Sequence, residues 1–233
     1  IASGKVDIAI LPFTYVWKDV EKGLPVKIVS FLERESDGII ARKGISKISD
    51  LNGKKIGVLK ASTLDIFSEM VEDKYNINME QIYFRSPMDM AVALTSGEVD
   101  ALSYYVPSIF KFSDDFKIIY WYGDDWANHP CCDLAANEES IEKKNKQIRK
   151  FMKQLEISVN KLNSNLPNGY KTAKEYFSLT KENYYKSAEH QRFNLVLSES
   201  GKKFEIETIM QMKKIGYIKG DVQPSKVYEV IQD

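Results

Sequence analysis

The chain has 233 residues, 43% of them hydrophobic, and its 33 basic and 33 acidic side chains give a formal net charge of zero. This length allows one large domain or two small lobes, and the balanced charge argues against nucleic acid or an anionic membrane surface as a partner. No apolar stretch reaches the roughly 18–20 residues that a membrane-spanning helix requires.

The first 137 residues alternate short runs of β-branched residues with helix-like segments, which predicts an α/β fold with largely parallel sheets. Several of these runs are continuously apolar, as in strands covered on both faces. The predicted strands span residues 7–11, 26–31, 38–42, 55–59, 82–84, 99–103, 117–122 and 132–136.

The chain reaches its first predicted strand within a few residues of Ile1. Residues 1–4 (IASG) show neither the charged segment nor the apolar segment of a targeting signal. A fold rarely begins so abruptly, so we expect further sequence upstream and a first lobe that is N-terminally incomplete.

Two helices among these strands carry clear end signals. Ser86 offers an N-cap, Pro87 stands at the first helical position, and Gly97 supplies the stop. Residues 62–65 (STLD) have the pattern of a capping box, with Ser62 at the N-cap position.

The β pattern ends near residue 138, and helices are predicted from there on. Residues 148–162 carry apolar side chains at helical spacing. A strand-rich segment enclosed between two turn-forming stretches, near residues 36–38 and 127–133, predicts two lobes. We expect residues 1–37 plus 132–233 in one lobe and residues 38–131 in the other. The other predicted helices span residues 168–179, 181–193, 200–215 and 224–232.

Four motifs, in order along the chain, resemble those of type II periplasmic binding proteins. Residues 3–9 (SGKVDIA) resemble the G-x-hydrophobic-D strand of that family, and residues 48–58 (ISDLNGKKIGV) resemble its DLKGKKIGV entry into the second lobe. Residues 94–101 (LTSGEVDA) and 129–137 (HPCCDLAAN) resemble two later strands. Together with residues 210–220, they are similar to the nitrate/sulfonate/taurine and thiamine-precursor (NMT1/THI5-like) branch.

The resemblance implies a two-lobed α/β fold and a function without chemistry. Such a protein is the extracytoplasmic solute-binding component of an ABC importer, and it captures a small molecule in the inter-lobe cleft by hinge closure. We expect a thiamine-precursor pyrimidine or a sulfonate/taurine-like ligand, ABC permease subunits as partners, and no nucleic acid. We expect a monomer, in the periplasm or lipid-anchored at the cell surface as a lipoprotein.

The resemblance places the ligand where strand ends and helix N-termini meet, a location that suits open α/β sheets. The first candidates are Pro12, Phe13 and Thr14, which leave the first strand. Phe13 would stack on the ligand and Thr14 would donate a hydrogen bond. The alternative is that the aromatic side chain packs beneath the following helix.

Asp37, Ser62 and Thr63 are the next candidates. Asp37 lies at the first predicted crossing, and Ser62 and Thr63 lie at a helix start, where free amides and two hydroxyls could hold an anionic or carbonyl oxygen. The alternative is that Ser62 only caps its helix. Asp65, in the same turn, would weaken anion binding there.

Aromatic residues supply the remaining candidates. Tyr104 and Tyr105 follow a strand, and because neighbours on an extended segment face opposite ways, we expect one of them in the cleft. Trp126 and His129 lie at the second crossing. The aromatic character of these positions favours a planar or partly apolar ligand.

Cys131 and Cys132 are the only cysteines of the chain, and adjacent cysteines form no disulfide framework. Alternation along an extended strand should keep His129, the two cysteines and Asp133 from reaching one ion. We therefore predict no metal site, and we expect both cysteines to be reduced and largely buried.

The sequence contains no P-loop, G-x-G-x-x-G, G-x-S-x-G or H-E-x-x-H motif. We therefore predict no catalytic residue and no cofactor. Two alternatives stay open: a pyrimidine-synthase-like or menaquinone-pathway-like enzyme on the same fold, and the ligand-sensing domain of a signalling protein.

Overall fold

A computed structural model describes residues 1–112 and 114–231. These residues divide into two compact units. The first unit comprises Ile1–Arg34, Pro130–Ser178 and the described residues from Arg192 on, and the second comprises Glu35–His129 and Leu179–Gln191. The lobe boundaries expected from the sequence remain a prediction, and they did not anticipate that residues 179–191 join the second unit.

The secondary structure follows the predicted alternation of strands and helices. In chain order, the strands of the described residues are β1 (Ile8–Pro12), β2 (Val26–Phe31), β3 (Glu33–Arg34), β4 (Asp37–Arg42), β5 (Lys55–Leu59), β6 (Glu80–Phe84), β7 (Ala101–Tyr105), β8 (Phe116–Trp121), β9 (Cys132–Asn137) and β10 (Arg192–Phe193). The helices are α1 (Phe13–Glu21), α2 (Thr63–Tyr75), α3 (Pro87–Ser96), α4 (Glu138–Ser164), α5 (Leu166–Phe177), α6 (Lys181–His190) and α7 (Glu199–Lys214).

The sheet of the first unit has the strand order β1-β9-β2. Strand β9 lies between β1 and β2 and runs antiparallel to both, with Leu134 opposite Ile10. The short strands β3 and β10 form a separate antiparallel pair, in which Glu33 lies opposite Phe193. The helix predicted at residues 181–193 therefore ends at His190, and its last two predicted residues, Arg192 and Phe193, form β10.

The sheet of the second unit has the order β6-β5-β7-β4-β8. Strand β5 is parallel to β6 and β7, whereas β4 is antiparallel to β7 and β8. The α/β class is confirmed, but the sheets are mixed rather than largely parallel. The difference arises because β4 and β9, where the chain enters one unit from the other, run against their neighbours.

The end signals of α3 act as the sequence predicts. The Ser86 hydroxyl accepts a hydrogen bond from the Asp89 amide, and Gly97 adopts a φ of +86°, which closes the helix in the left-handed region. At α2 the predicted capping box is wrong in one respect. The Ser62 hydroxyl donates to the Leu59 carbonyl at 2.6 Å and does not cap the helix.

The helical C-terminal part is confirmed, with differences at two places. The predicted helix at residues 148–162 lies within α4, which begins earlier, at Glu138, and has non-helical backbone angles at Lys144. The helix expected at 224–232 is only a short 3-10 turn at Pro224–Lys226, and Gln232 lies outside the described residues. No helix in the described part of the chain is both long and apolar enough to span a membrane.

Candidate functional site

A buried carboxylate at the start of β4 organises the candidate site of the second unit. Asp37 is 1% exposed, and its two oxygens accept hydrogen bonds from the hydroxyls of Ser36 and Thr63, both at 3.2 Å. Buried polar groups are stable only when they are hydrogen-bonded, and a carboxylate more so. The structure thus brings together the predicted residues Asp37 and Thr63, with Ser62 beside them.

The N-terminus of α2 already holds a negative charge from its own chain. The carboxylate of Asp65 accepts a hydrogen bond from the Ala61 amide at 2.6 Å, and it is fully buried in the first helical turn. A carboxylate in this position satisfies the positive end of the helix, which is where an external anion would otherwise bind. The expected anion-holding role of this helix start is therefore weakened by Asp65.

Tyr104 and Tyr105 differ in exposure although both end β7. Tyr104 is 5% exposed, and its hydroxyl donates to the Pro87 carbonyl at 2.9 Å. Burial raises its pKa to about 12. Tyr105 is half-buried and lies directly opposite Asp37 in the β4/β7 register. The expectation that the rings face opposite ways is wrong, since they stack with centroids 5.0 Å apart at the strand end.

Trp126 and His129 belong to an aromatic cluster that also contains Phe67 and Tyr122. The rings of Phe67 and His129 have centroids 4.8 Å apart, and the Trp126 ring meets Phe67 edge-on at 5.7 Å. His129 is fully buried, whereas Trp126 is half-buried. Trp126 is therefore the member of the predicted pair that offers accessible ring surface.

Tyr122 links this aromatic cluster to the buried acids. Its hydroxyl lies 2.6 Å from the Ser103 hydroxyl, which itself donates to the Leu64 carbonyl. The pKa of Tyr122 is raised, first by burial and then by the negative charges of Asp37 and Asp65. The two carboxylates therefore act on the same small region of the second unit.

A small acidic cavity of about 180 Å³ lies next to Asp37. The ring of His190 stacks on Trp121 at its wall, with centroids 3.7 Å apart and planes 13° apart. Among the described residues, the lining includes four carboxylates and neither lysine nor arginine. The lining residues are Glu35, Asp37, Trp121, Gly123, Asp124, Glu189 and His190.

The remaining candidates, Pro12, Phe13 and Thr14, lie in the first unit, where β1 passes into α1. Phe13 is fully buried, so its ring is core and has no surface to offer a ligand. The hydroxyl of Thr14 is also buried and has no hydrogen-bond partner among the described residues. Pro12 is half-buried.

The two cysteines depart from the predicted alternation. Their sulfurs lie 3.6 Å apart, and the Cys131 sulfur lies 3.9 Å from a carboxylate oxygen of Glu33. The sequence argument is wrong here because Cys131 precedes β9 and is not part of its regular ladder. Cys131 is buried and Cys132 only half-buried, so one of the two is more exposed than expected.

Sequence reasoning did not single out Glu35, Asp124, Glu189 or His190. Glu189 and His190 come from α6, which is separated from β8 along the chain by β9, α4 and α5 of the first unit. No local spacing could have signalled that His190 would stack on Trp121.

The family model described as NMT1/THI5 like matches residues 1–165. No curated protein matches the sequence.

Several solved structures resemble the chain over nearly its whole length. The alkanesulfonate-binding protein SsuA from Xanthomonas axonopodis pv. citri, bound to MOPS, has 15% sequence identity and a TM-score of 0.86 over 97% of this chain and 82% of its own. The zinc-bound ligand-binding component of an ABC-type import system from Staphylococcus aureus has 18% identity and a TM-score of 0.85, over 98% and 80%. The periplasmic aliphatic sulphonate-binding protein SsuA from Escherichia coli has 14% identity and a TM-score of 0.80, over 98% and 77%. These likenesses show the periplasmic binding protein fold.

Proposed function

Because the chain belongs to the NMT1/THI5-like family, we propose that it is the solute-binding component of an ABC importer. We further propose that its ligand is a small planar heterocycle with a protonatable amine, of the aminopyrimidine class, and not a sulfonate. The observation that carries this choice is the acidic cavity beside Asp37, with its stacked Trp121 and His190.

The charge of the cavity discriminates between the two ligand classes. A sulfonate stays anionic, and each like-charge pair at roughly 5 Å costs about 1–3 kcal/mol for effective dielectric constants of 80 to 20. Such a ligand requires cationic side chains or free helix amides. The described lining offers no lysine or arginine, and Asp65 already holds the Ala61 amide of α2. An amine-bearing ring would instead donate to the carboxylates.

The shape and surface of the cavity also fit a single ring. Its volume of about 180 Å³ is below the roughly 300–1,000 Å³ of sites for drug-sized ligands. The rings of Trp121 and His190 line the cavity, and flat ligands stack well on aromatic rings. Tyr105 and Trp126 are further half-buried aromatic side chains of the same unit. The sulfonate-binding neighbours have only 14–15% sequence identity to this chain, so the shared fold does not determine which ligand it binds.

Titration calorimetry tests the ligand class directly. The purified protein is titrated with the aminopyrimidine precursor of thiamine, taurine, an alkanesulfonate and nitrate. We expect saturable binding of the aminopyrimidine alone. At about 100 times the Kd the stabilisation is roughly 2.7 kcal/mol, which for a domain of this size raises the Tm by about 5–11 °C.

Two substitutions locate the site, each with a matched control. Asp37→Asn removes a charge while it preserves the shape, and Tyr105→Leu removes a ring; we expect each to weaken binding at least roughly 10-fold. Asp221→Asn and Tyr176→Leu change the same residue types on exposed positions of the first unit, and we expect the wild-type Kd. A sulfonate that binds more tightly than the aminopyrimidine would overturn the charge argument.

The protein is proposed to work outside the cytoplasm, as a monomer that delivers its ligand to the membrane permease. Hinge closure around the ligand is part of the proposal, and small-angle scattering with and without ligand measures it. We also propose that the ligand is released unaltered. Mass spectrometry of the recovered ligand checks this, because a converted product would instead indicate an enzyme on the same fold.

A further inference from the structure

We propose that Glu33, Cys131 and Cys132 form a binding site for one thiophilic divalent metal ion, of which Zn²⁺ is the representative. The donor atoms of these three residues, two sulfurs and a carboxylate oxygen, all lie within 4.8 Å of one another in the first unit. The site is independent of the acidic cavity of the second unit and does not depend on the proposed ligand.

The distances match the edges of a tetrahedral coordination shell. With Zn–S bonds of about 2.3 Å, a tetrahedral ion holds two thiolates about 3.8 Å apart, and with a Zn–O bond of about 2.1 Å the sulfur–oxygen edge is about 3.6 Å. The observed separations are 3.6 Å between the sulfurs and 3.9 Å between the Cys131 sulfur and the Glu33 oxygen. An ion could therefore bind with shifts of a few tenths of an ångström.

The backbone around the three residues is fixed on both sides. The Cys131 amide donates to the Glu33 carbonyl at 3.2 Å, and its carbonyl accepts from the Phe13 amide at 3.3 Å. Cys132 begins β9 and lies opposite Pro12 in the β1/β9 ladder. Ligands on paired backbone lose little conformational entropy when an ion binds, which favours affinity.

The donor set and its exposure indicate the kind of ion. Two thiolates select soft or borderline ions, and a carboxylate as third ligand suits Zn²⁺ or Cd²⁺ better than Cu⁺. Cys131 is buried, whereas Cys132 and Glu33 are half-buried. Three protein ligands with an accessible side leave a fourth position for water or an exogenous group, as in open zinc sites.

The neighbouring charges are compatible with a cation. Arg34, next to Glu33, directs its guanidinium to the buried acids Asp133 and Glu205. A bound divalent ion would in turn compensate the thiolates and the Glu33 carboxylate. The thiols must lose their protons for the ion to bind, so affinity should fall as the pH is lowered.

The test uses the untagged, reduced and chelator-treated protein. Zn²⁺ is titrated in competition with a chromophoric chelator, and Cd²⁺ is titrated while the thiolate-to-metal charge-transfer absorption is recorded. We expect one ion per chain and a charge-transfer band. We expect Cys131→Ser and Cys132→Ser each to weaken binding by on the order of 100-fold, and Glu33→Gln by on the order of 10-fold.

Glu139→Gln is the matched control, because Glu139 is exposed, lies in the same unit and forms an ion pair with Lys143. It should bind Zn²⁺ as the wild type does. Alkylation of the wild type, read by mass spectrometry, provides a second measurement that needs no variant: both cysteines should react without metal and be protected with it. Equal alkylation with and without Zn²⁺, or unchanged affinity in Glu33→Gln, would overturn the three-ligand site.

Discussion

Arg34 directs one guanidinium nitrogen, Nη2, at the carboxylate of Asp133 across 3.0 Å, and the same nitrogen lies 2.9 Å from Glu205. All three side chains are almost completely buried in the first unit, and Tyr228 donates a further hydrogen bond to Glu205 at 2.7 Å. One buried cation thus serves two buried acids, so the cluster depends on Arg34 more than on either acid.

Replacement of Arg34 by methionine should therefore destabilise the protein strongly. The substitution preserves much of the apolar volume but leaves Asp133 and Glu205 buried without their cation. Removing one partner of a buried ion pair typically costs about 3–5 kcal/mol, and we expect a loss in that range in urea unfolding. Lys143→Met, at an exposed pair with Glu139, is the control and should leave the midpoint unchanged. An equally small effect at Arg34 would contradict the role of the cluster.

The same cluster should make stability depend on pH in a defined direction. Burial, and then the negative charge of Glu205, raise the pKa of Asp133 well above its usual value. Because the folded state holds this proton at a pH where the unfolded chain has lost it, stability falls as the pH rises from the ordinary aspartate pKa to the raised one. Urea unfolding at several values between about pH 4 and 7 measures this slope.

Asp133→Asn should flatten that slope, since the amide cannot titrate. The absolute stability of this variant is not the readout, because an amide makes a weaker hydrogen bond to Arg34 than a carboxylate does. A variant whose stability falls with pH as steeply as that of the wild type would assign the dependence to other groups.

Gly38 allows β4 and β8 to approach each other at the acidic cavity. A β-carbon at this position would lie 2.7 Å from the Tyr120 carbonyl oxygen and 2.8 Å from the Trp121 ring. Gly38→Ala should therefore displace Trp121, and overpacking of this kind costs about 1–3 kcal/mol. Thermal unfolding measures the loss, and tryptophan fluorescence reports the displaced ring.

Gly123→Ala is the matched comparison for stability, because the nearest atom to its added β-carbon is 3.6 Å away, an ordinary contact. It lies in the same unit, close to Trp121 along the chain. If the two alanine variants have the same Tm, the close approach of β4 and β8 is not what requires glycine at position 38.

Local sequence signals predicted much of the secondary structure. The runs 26–31 and 55–59 are strands with the predicted bounds, because a high content of β-branched and apolar residues is a property of the segment itself. The Ser86 cap and the Gly97 stop also depend only on neighbouring residues. By contrast, β3 and β10 have two residues each and exist only through their mutual pairing, which no local pattern reveals.

The candidate site was less predictable, since its chemistry depends on which segments meet. Asp37 and Thr63 were named from the sequence, and the structure joins them by a hydrogen bond. His190 was not proposed as a site residue, because its position depends on how α6 packs within the second unit. There, Asn183 of that helix donates to the Phe110 carbonyl at 3.0 Å. The cysteine geometry was missed because alternation holds only inside a regular ladder.

Asp65 supplies the last prediction, which concerns ligand selectivity. Its carboxylate holds the Ala61 amide at the start of α2 and adds negative potential beside Asp37. Asp65→Asn retains an acceptor for this amide but removes the charge. We expect a modest loss of stability, about 1 kcal/mol. We also expect an aminopyrimidine affinity lower by roughly 3–10-fold, because one favourable charge is gone.

The decisive comparison for Asp65 is with Asp89→Asn. Asp89 occupies the same first-turn position in α3, in the same unit, and accepts a hydrogen bond from Ser86. It lies outside the candidate site, so its replacement should change stability without changing the ratio of aminopyrimidine to sulfonate affinity. Calorimetry of both variants with both ligand classes measures that ratio. A ratio that falls equally in the two variants would mean that Asp65 acts only through its helix, and that the acids near Asp37 do not select the ligand.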